Sequence, residues 1–138
     1  MEAVLHLPVV PNVELVAAKA VETLGGALGM HQTHVEAASV AMVEACLNAM
    51  EHGGGPVTVR LRSENHESRP CLLIEVEDHG RGFDPARAPK NSASRVLGSS
   101  SKRGWGLTLI RELMDDVQIR SEPGMTLVSM RKYVESAP

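Results

Sequence analysis

The stretch from Ala37 to Met50, AASVAMVEACLNAM, constrains the fold more than any other part of the chain. Its residues are small or apolar nearly all round a helical circle, and a helix of that kind is normally buried. It belongs in the middle of a packed layer. The polar side chains that stand out in it are Ser39, Glu44 and Asn48. Glu44 and Asn48 are four residues apart, so they share one face. A buried, unpaired carboxylate is costly, yet no Lys or Arg lies within a turn of Glu44. Two resolutions stand open. Either an Arg from elsewhere in the fold pairs with Glu44, or a wet or metal-containing cavity lies beside the Glu44–Asn48 face.

The rest of the chain supplies partners for that helix. Its 138 residues suit one domain with a real core. With one Trp, one Tyr and one Phe, that core is built from Val, Leu, Ile, Ala and Met. Ala3 to Val10 reads as an edge strand, and Pro11 and Asn12 open a helix with apolar residues at 13, 16, 17, 20, 21, 24 and 28. The central helix is expected from Thr33, through a capping box with Glu36, to about His52, where Gly53 to Pro56 stop it. Val57, Val59 and Leu61 alternate with polar residues, as do Leu72, Ile74 and Val76, giving two strands with Ser63 to Pro70 as the hairpin loop. Helix returns at about Trp105 to Met114, and Val117–Ser121 and Met125–Tyr133 read as two last strands around Pro123-Gly124. Neither a repeat nor a second domain is visible.

Several function classes are disfavoured. A net charge of −3 argues against general nucleic-acid binding, which needs phosphate-neutralising cations. No signal peptide and no apolar run long enough to cross a bilayer are present, so no membrane is expected and the cytoplasm is the default location. Cys46 and Cys71 lie in apolar segments and read as buried thiols. His6, His31, His34, His66 and His79 show no ligand spacing, and no metal is assigned to them.

Two further segments carry chemistry. Asp78-His79-Gly80-Arg81-Gly82-Phe83-Asp84 directly follows a strand. Asp78 has the parity of Leu72, Ile74 and Val76, so it points to the core side of the sheet. A carboxylate there can accept a hydrogen bond from a buried ligand amine, with Gly80 and Gly82 allowing close approach; the alternative is a glycine-rich turn with a solvated Asp. Arg103-Gly104-Trp105-Gly106-Leu107 marks the point where a long polar segment becomes a helix. Glycines at a helix N-terminus expose N–H groups to an anion, and Lys102 and Arg103 add positive charge. Between the two lies a loop with few large apolar residues. From 87 to 103 it carries Arg87, Lys90, Arg95, Lys102 and Arg103 and no acidic residue.

The order of these features, E-x3-N on a helix, strand-D-x-G-x-G, a long loop, then G-x-G and a helix, resembles the GHKL superfamily of ATP-binding domains. The closer resemblance is to the anti-sigma-factor serine kinases. It rests on Glu44-Ala45-Cys46-Leu47-Asn48-Ala49-Met50-Glu51-His52, on Asp78 to Pro85 and on Arg103 to Arg111, and it spans essentially the whole chain. The resemblance implies a Bergerat fold over residues 1–138: an α+β two-layer sandwich, with a mixed, mostly antiparallel sheet, helices on one face, and an ATP lid over about 84–103. It implies ATP and Mg²⁺ as ligands. Glu44 would be the general base and Asn48 the Mg²⁺ ligand. Asp78 would bind the adenine amine and Gly80 and Gly82 would line its pocket. Lys102, Arg103, Gly104 and Gly106 would face the phosphates, and Thr126 would lie by the base. Met125 interrupts the G-T-T run that the family places there. His52 either borders the site or serves as a helix-terminal cation. The implied function is a serine/threonine kinase that acts as an anti-sigma factor and phosphorylates a STAS-type antagonist on Ser. A sigma factor, that antagonist and a second copy of the chain are the implied partners. The alternative is a nucleotide-binding interaction module without kinase activity. A histidine-kinase fragment would need a dimerisation helix pair, and a topoisomerase or chaperone ATPase a transducer domain; neither fits in this length.

Overall fold

The computed structural model describes residues 1–53, 55–80 and 100–135, with the backbone alone for 100–106. Along the chain it forms β1 (Glu2–Leu7), α1 (Glu14–Ala27), α2 (Gln32–Gly53), β2 (Val57–His66), β3 (Arg69–Asp78), α3 (Ser100–Leu113), β4 (Asp116–Glu122) and β5 (Met125–Tyr133). The strands form one sheet in the order β1-β2-β3-β5-β4, and each of its pairings is antiparallel.

Strand alternation gives this sheet two unlike faces. Leu7, Val57, Val59, Leu61, Leu72, Ile74, Val76 and Met130 point to one side and are buried. The helices cover that side, with Ala17, Val21 and Leu24 of α1, Ala38, Ala41, Met42, Ala45, Cys46 and Ala49 of α2, and Ile110 of α3 in the same core. Each such large apolar side chain contributes about 1.5–3 kcal/mol on burial. The many alanines of α2 let the helix lie close against the sheet. The opposite face is largely ionic, with Cys71 and Leu73 buried among its ion pairs. Arg131 Nε donates to Glu64 (2.7 Å) and its Nη1 to Asp116 (2.9 Å), while Arg60 Nη1 donates to Glu77 (3.0 Å). The hydrogen bond from Arg131 holds the Glu64 carboxyl below its usual range. The expected two-layer α+β sandwich is therefore the observed one.

Three local expectations are corrected. The segment Ser63–Pro70 is mostly strand: the ladder runs to His66↔Arg69, leaving the two-residue turn Glu67-Ser68. Both residues have positive φ (52° and 65°), the geometry of a tight hairpin turn that follows the twist of the strands. Of the polar side chains that read as loop, Glu64, His66 and Arg69 are outer-face ladder residues; Arg69 stacks 3.6 Å from the Tyr133 ring centre and Glu64 meets Arg131. Second, α2 begins at Gln32, one residue before the expected capping residue. His31 takes that role: its Nδ1 accepts the Thr33 N–H (3.2 Å) and lies 2.8 Å from the Thr33 hydroxyl, while Glu36 accepts from Gln32 (3.2 Å). Third, α2 is not buried all round. Val40 is 45% exposed and Leu47 39%, and Glu44 is half-buried. A two-layer fold leaves even its central helix one outward stripe, and Glu44 borders that stripe. Glu44 is thus not fully enclosed, which lessens the need for a buried partner.

Candidate functional site

The C-terminal half of α2, the end of β3, the β4–β5 hairpin and α3 converge on one cavity of about 30 Å³. Ala45, Asn48, Ala49 and His52 of α2 form one wall, and Leu107 and Ile110 of α3 face them. Val76, Asp78, Ile119, Thr126 and Val128 form the floor. Four of the sequence candidates, Asn48, His52, Asp78 and Thr126, are thus brought together from three elements.

Strand register explains the pairing on the floor. Asp78 lies directly opposite Thr126 in the β3–β5 ladder, on the face shared with Val76 and Val128. Both are buried, at 3% and 5% exposure. Asp78 is the one acidic side chain buried among the described residues. Its Oδ1 accepts the Gly80 N–H at 3.1 Å. Burial pushes its carboxyl pKa up, with the Gly80 N–H and the nearby His79 acting against the rise. The Thr126 hydroxyl lies 3.3 Å from Ser121 Oγ across the β4–β5 pair. An apolar slot with a buried carboxylate acceptor suits a flat heterocycle that carries an amine.

Glu44 sits one turn before Asn48 on α2, outside the cavity lining. Gly80 is also outside the lining, and its closeness is to protein: a Cβ at residue 80 would run into the backbone of Gly53. Gly82 and the greater part of the expected lid, 84–99, lie outside the described residues. Lys102, Arg103, Gly104 and Gly106 lie within α3, which starts at Ser100 and not near Trp105, and their side chains are not described. The Gly-x-Gly pair is thus inside the helix and does not open it. Two interior glycines cost a helix roughly 0.5–1 kcal/mol each relative to Ala, so this first turn and a half of α3 is intrinsically weak. Leu107 and Ile110 read from the sequence as the apolar stripe of this helix, but neither they nor Ile119 are expected there as walls of the site. Their signal was there, in the three-residue spacing on α3 and the alternation of Val117 with Ile119.

No cluster of three or more His, Cys, Asp or Glu side chains able to hold a metal exists among the described residues. A Mg²⁺ ion bound with a polyphosphate needs none, because it retains waters and takes most of its oxygens from phosphate. The Asn48 side-chain oxygen at the cavity wall fits the role of a single protein ligand.

The chain is similar to known proteins over most of its length. Residues 10–132 match the family model of the histidine kinase-like ATPase domain. The serine-protein kinase RsbW of Bacillus velezensis is 29% identical, over 94% of this chain and 84% of its own length. The serine-protein kinase RsbW of Bacillus subtilis is 31% identical, over 78% of this chain and 69% of its own. Among solved structures, a chain of the SiaB–SiaC complex from Pseudomonas aeruginosa superposes with a TM-score of 0.58 at 12% identity, covering 96% of this chain and 89% of that one. The histidine kinase domain of the blue-light activated kinase from Erythrobacter litoralis EL346 gives 0.54 at 18% identity, over 88% and 59%. At those identities the two structures speak for the fold alone.

Proposed function

We propose, for a chain that belongs to the histidine kinase-like ATPase family and is homologous to the RsbW-type kinases, that it is an ATP-dependent serine/threonine kinase acting as an anti-sigma factor. Its substrate would be a STAS-type antagonist phosphorylated on Ser, and its place of work the cytoplasm. The observation that carries this reading is the convergence of Asn48, Asp78 and Thr126 on one apolar cavity. The carboxylate of Asp78 accepts a hydrogen bond from the adenine amine, and Val76, Val128 and Leu107 enclose the ring. The cavity holds little more than a water molecule or two as it stands, so Leu107 and Ile110 on α3 yield when the base enters. Mg²⁺, held through Asn48, would neutralise phosphate charge. Glu44, on the same helical face and in reach of water, accepts the proton of the incoming Ser hydroxyl. The Ser Oγ–phosphorus bond forms as the bond from the γ-phosphorus to the β–γ bridging oxygen breaks, and ADP leaves.

A second reading is a nucleotide-binding interaction module without transfer activity. The position of Glu44 outside the cavity lining favours it. Incubation with γ-labelled ATP, Mg²⁺ and STAS proteins from the same genome separates the two. The kinase reading expects label on a Ser of one STAS protein with matching release of ADP. Bound ATP with no transfer to any of them supports the module instead, and failure to bind ATP removes both.

We also propose a homodimer. β1 is one of the two edge strands of the sheet, β4 being the other, and Met1, Val4, Val9, Val10, Leu15 and Val16 around β1 and on α1 are exposed apolar side chains. Such a grouping at a sheet edge marks an interaction surface. Light scattering at micromolar concentration is expected to give twice the 14.8 kDa chain mass, and Val16→Glu to halve it. A monomeric wild-type protein contradicts the assignment.

A further inference from the structure

The end of α2 and the turn after β3 touch backbone to backbone. Gly53 is the last residue of α2, and Gly80 lies two residues past the end of β3. A Cβ placed on Gly80 would be driven into the Cα and carbonyl of Gly53. A Cβ placed on Gly53 would stand 2.8 Å from Asp78 Oδ1, 3.0 Å from its Cγ and 3.1 Å from its Cβ. The bare Cα of Gly53 is thus one wall against which the Asp78 side chain rests, and the Gly80 N–H on Oδ1, at 3.1 Å, is the other restraint. The final torsion of an Asp side chain is broad and roughly two-fold, so a carboxylate is not oriented by its own rotamer. Here the hydrogen bond anchors one oxygen and the Gly53 backbone limits where the group can turn.

We propose that Gly53 is a positioning residue for base selectivity: by packing against the Asp78 carboxylate it aims the second oxygen into the cavity, and so selects a purine with an amine at its six-position over one with a carbonyl. This rests on the reading that Asp78 binds the adenine amine. An aimed, buried acceptor discriminates strongly, because the wrong base both leaves it unpaired and presents a second acceptor to it. A carboxylate free to swing discriminates less. The same contact ties the helix that carries Asn48 and His52 to the end of β3, which carries Asp78, so the two ends of the nucleotide site keep a fixed separation.

Binding of Mg²⁺–ATP, Mg²⁺–GTP and Mg²⁺–tripolyphosphate to wild type, Gly53→Ala, Gly55→Ala and Asp78→Asn tests this. Gly55 has open space where a Cβ would go, so its variant controls for the loss of a glycine in this segment. Gly53→Ala is expected to lower the ATP-to-GTP affinity ratio by about tenfold or more, with tripolyphosphate affinity unchanged and Gly55→Ala like wild type. If Asp78→Asn collapses the ratio while folded Gly53→Ala keeps it, the positioning role is wrong. If Asp78→Asn also keeps the ratio, the adenine reading of Asp78 fails first. Should Gly53→Ala not fold, Asp78→Gly removes the atoms that the added methyl group would strike. The double variant Gly53→Ala/Asp78→Gly is then expected to recover the fold, and its failure to do so overturns the proposed contact.

Discussion

Asp78→Asn is expected to weaken ATP binding roughly tenfold to a hundredfold and, at neutral pH, to make the protein more stable. The first effect follows from the loss of a charge-assisted hydrogen bond, about 1.5–3 kcal/mol. The second follows from burial. At 3% exposure the carboxylate is shielded from water, and its pKa is pushed above its ordinary value of 3.8. The unfolded chain then gives up this proton at lower pH than the folded one. Stability from this group is fully present below about pH 3.8 and is lost as pH rises through the raised folded value. Asn keeps an oxygen for the Gly80 N–H and has no charge to desolvate. Thermal midpoints of the two proteins should therefore converge near about pH 3.5 and separate at about pH 7 in favour of the variant. A residue kept at a cost in stability is the signature of a site. Equal ATP affinity in the two proteins would remove Asp78 from the nucleotide site.

Glu44→Ala is expected to lower phosphoryl transfer by about 10²–10⁴-fold, the range for loss of a general base, while ATP affinity stays within about twofold. The two effects separate because Glu44 is outside the cavity lining and Asn48 is inside it. No hydrogen bond or ion pair to Glu44 is present among the described residues, so its removal should cost little stability. Quantification of transfer to the STAS substrate at saturating ATP, beside a binding titration, checks both halves. Full transfer by the variant would leave Glu44 a structural residue and favour the interaction module.

Much of this site could be read from residue order because its key groups obey simple periodicities. Asp78 is two residues on from Val76, and strand alternation carries it to the core side, where it is found. Asn48 is one turn from Glu44, and α2 points it at the cavity. What escaped prediction depends on tertiary context. The hairpin at Glu67-Ser68 lacks the Asn-Gly or Asp-Gly signal of such turns, and its polar flanks pair with each other in the β2–β3 ladder, with Arg131 and Tyr133 of β5 against Glu64 and Arg69. The exposed stripe of α2 looked buried because Val40 and Leu47 are apolar; which side of a helix a two-layer fold leaves open is not written in its period. Gly80 reads from the sequence as making room for a ligand, and in the structure it also stands against the backbone of Gly53, 27 positions earlier. Local spacing holds no trace of that contact.

The most direct test is a calorimetric titration of the wild-type protein with ATP, in Mg²⁺ and again in a chelator. If nucleotide sits between α2 and the end of β3 with its phosphates bridged to Asn48 by the metal, ATP binds one per chain in Mg²⁺ and at least about tenfold more weakly without it. ATP that fails to bind in Mg²⁺, or that binds equally well in the chelator, would contradict a nucleotide site built from Asn48, Asp78 and Thr126.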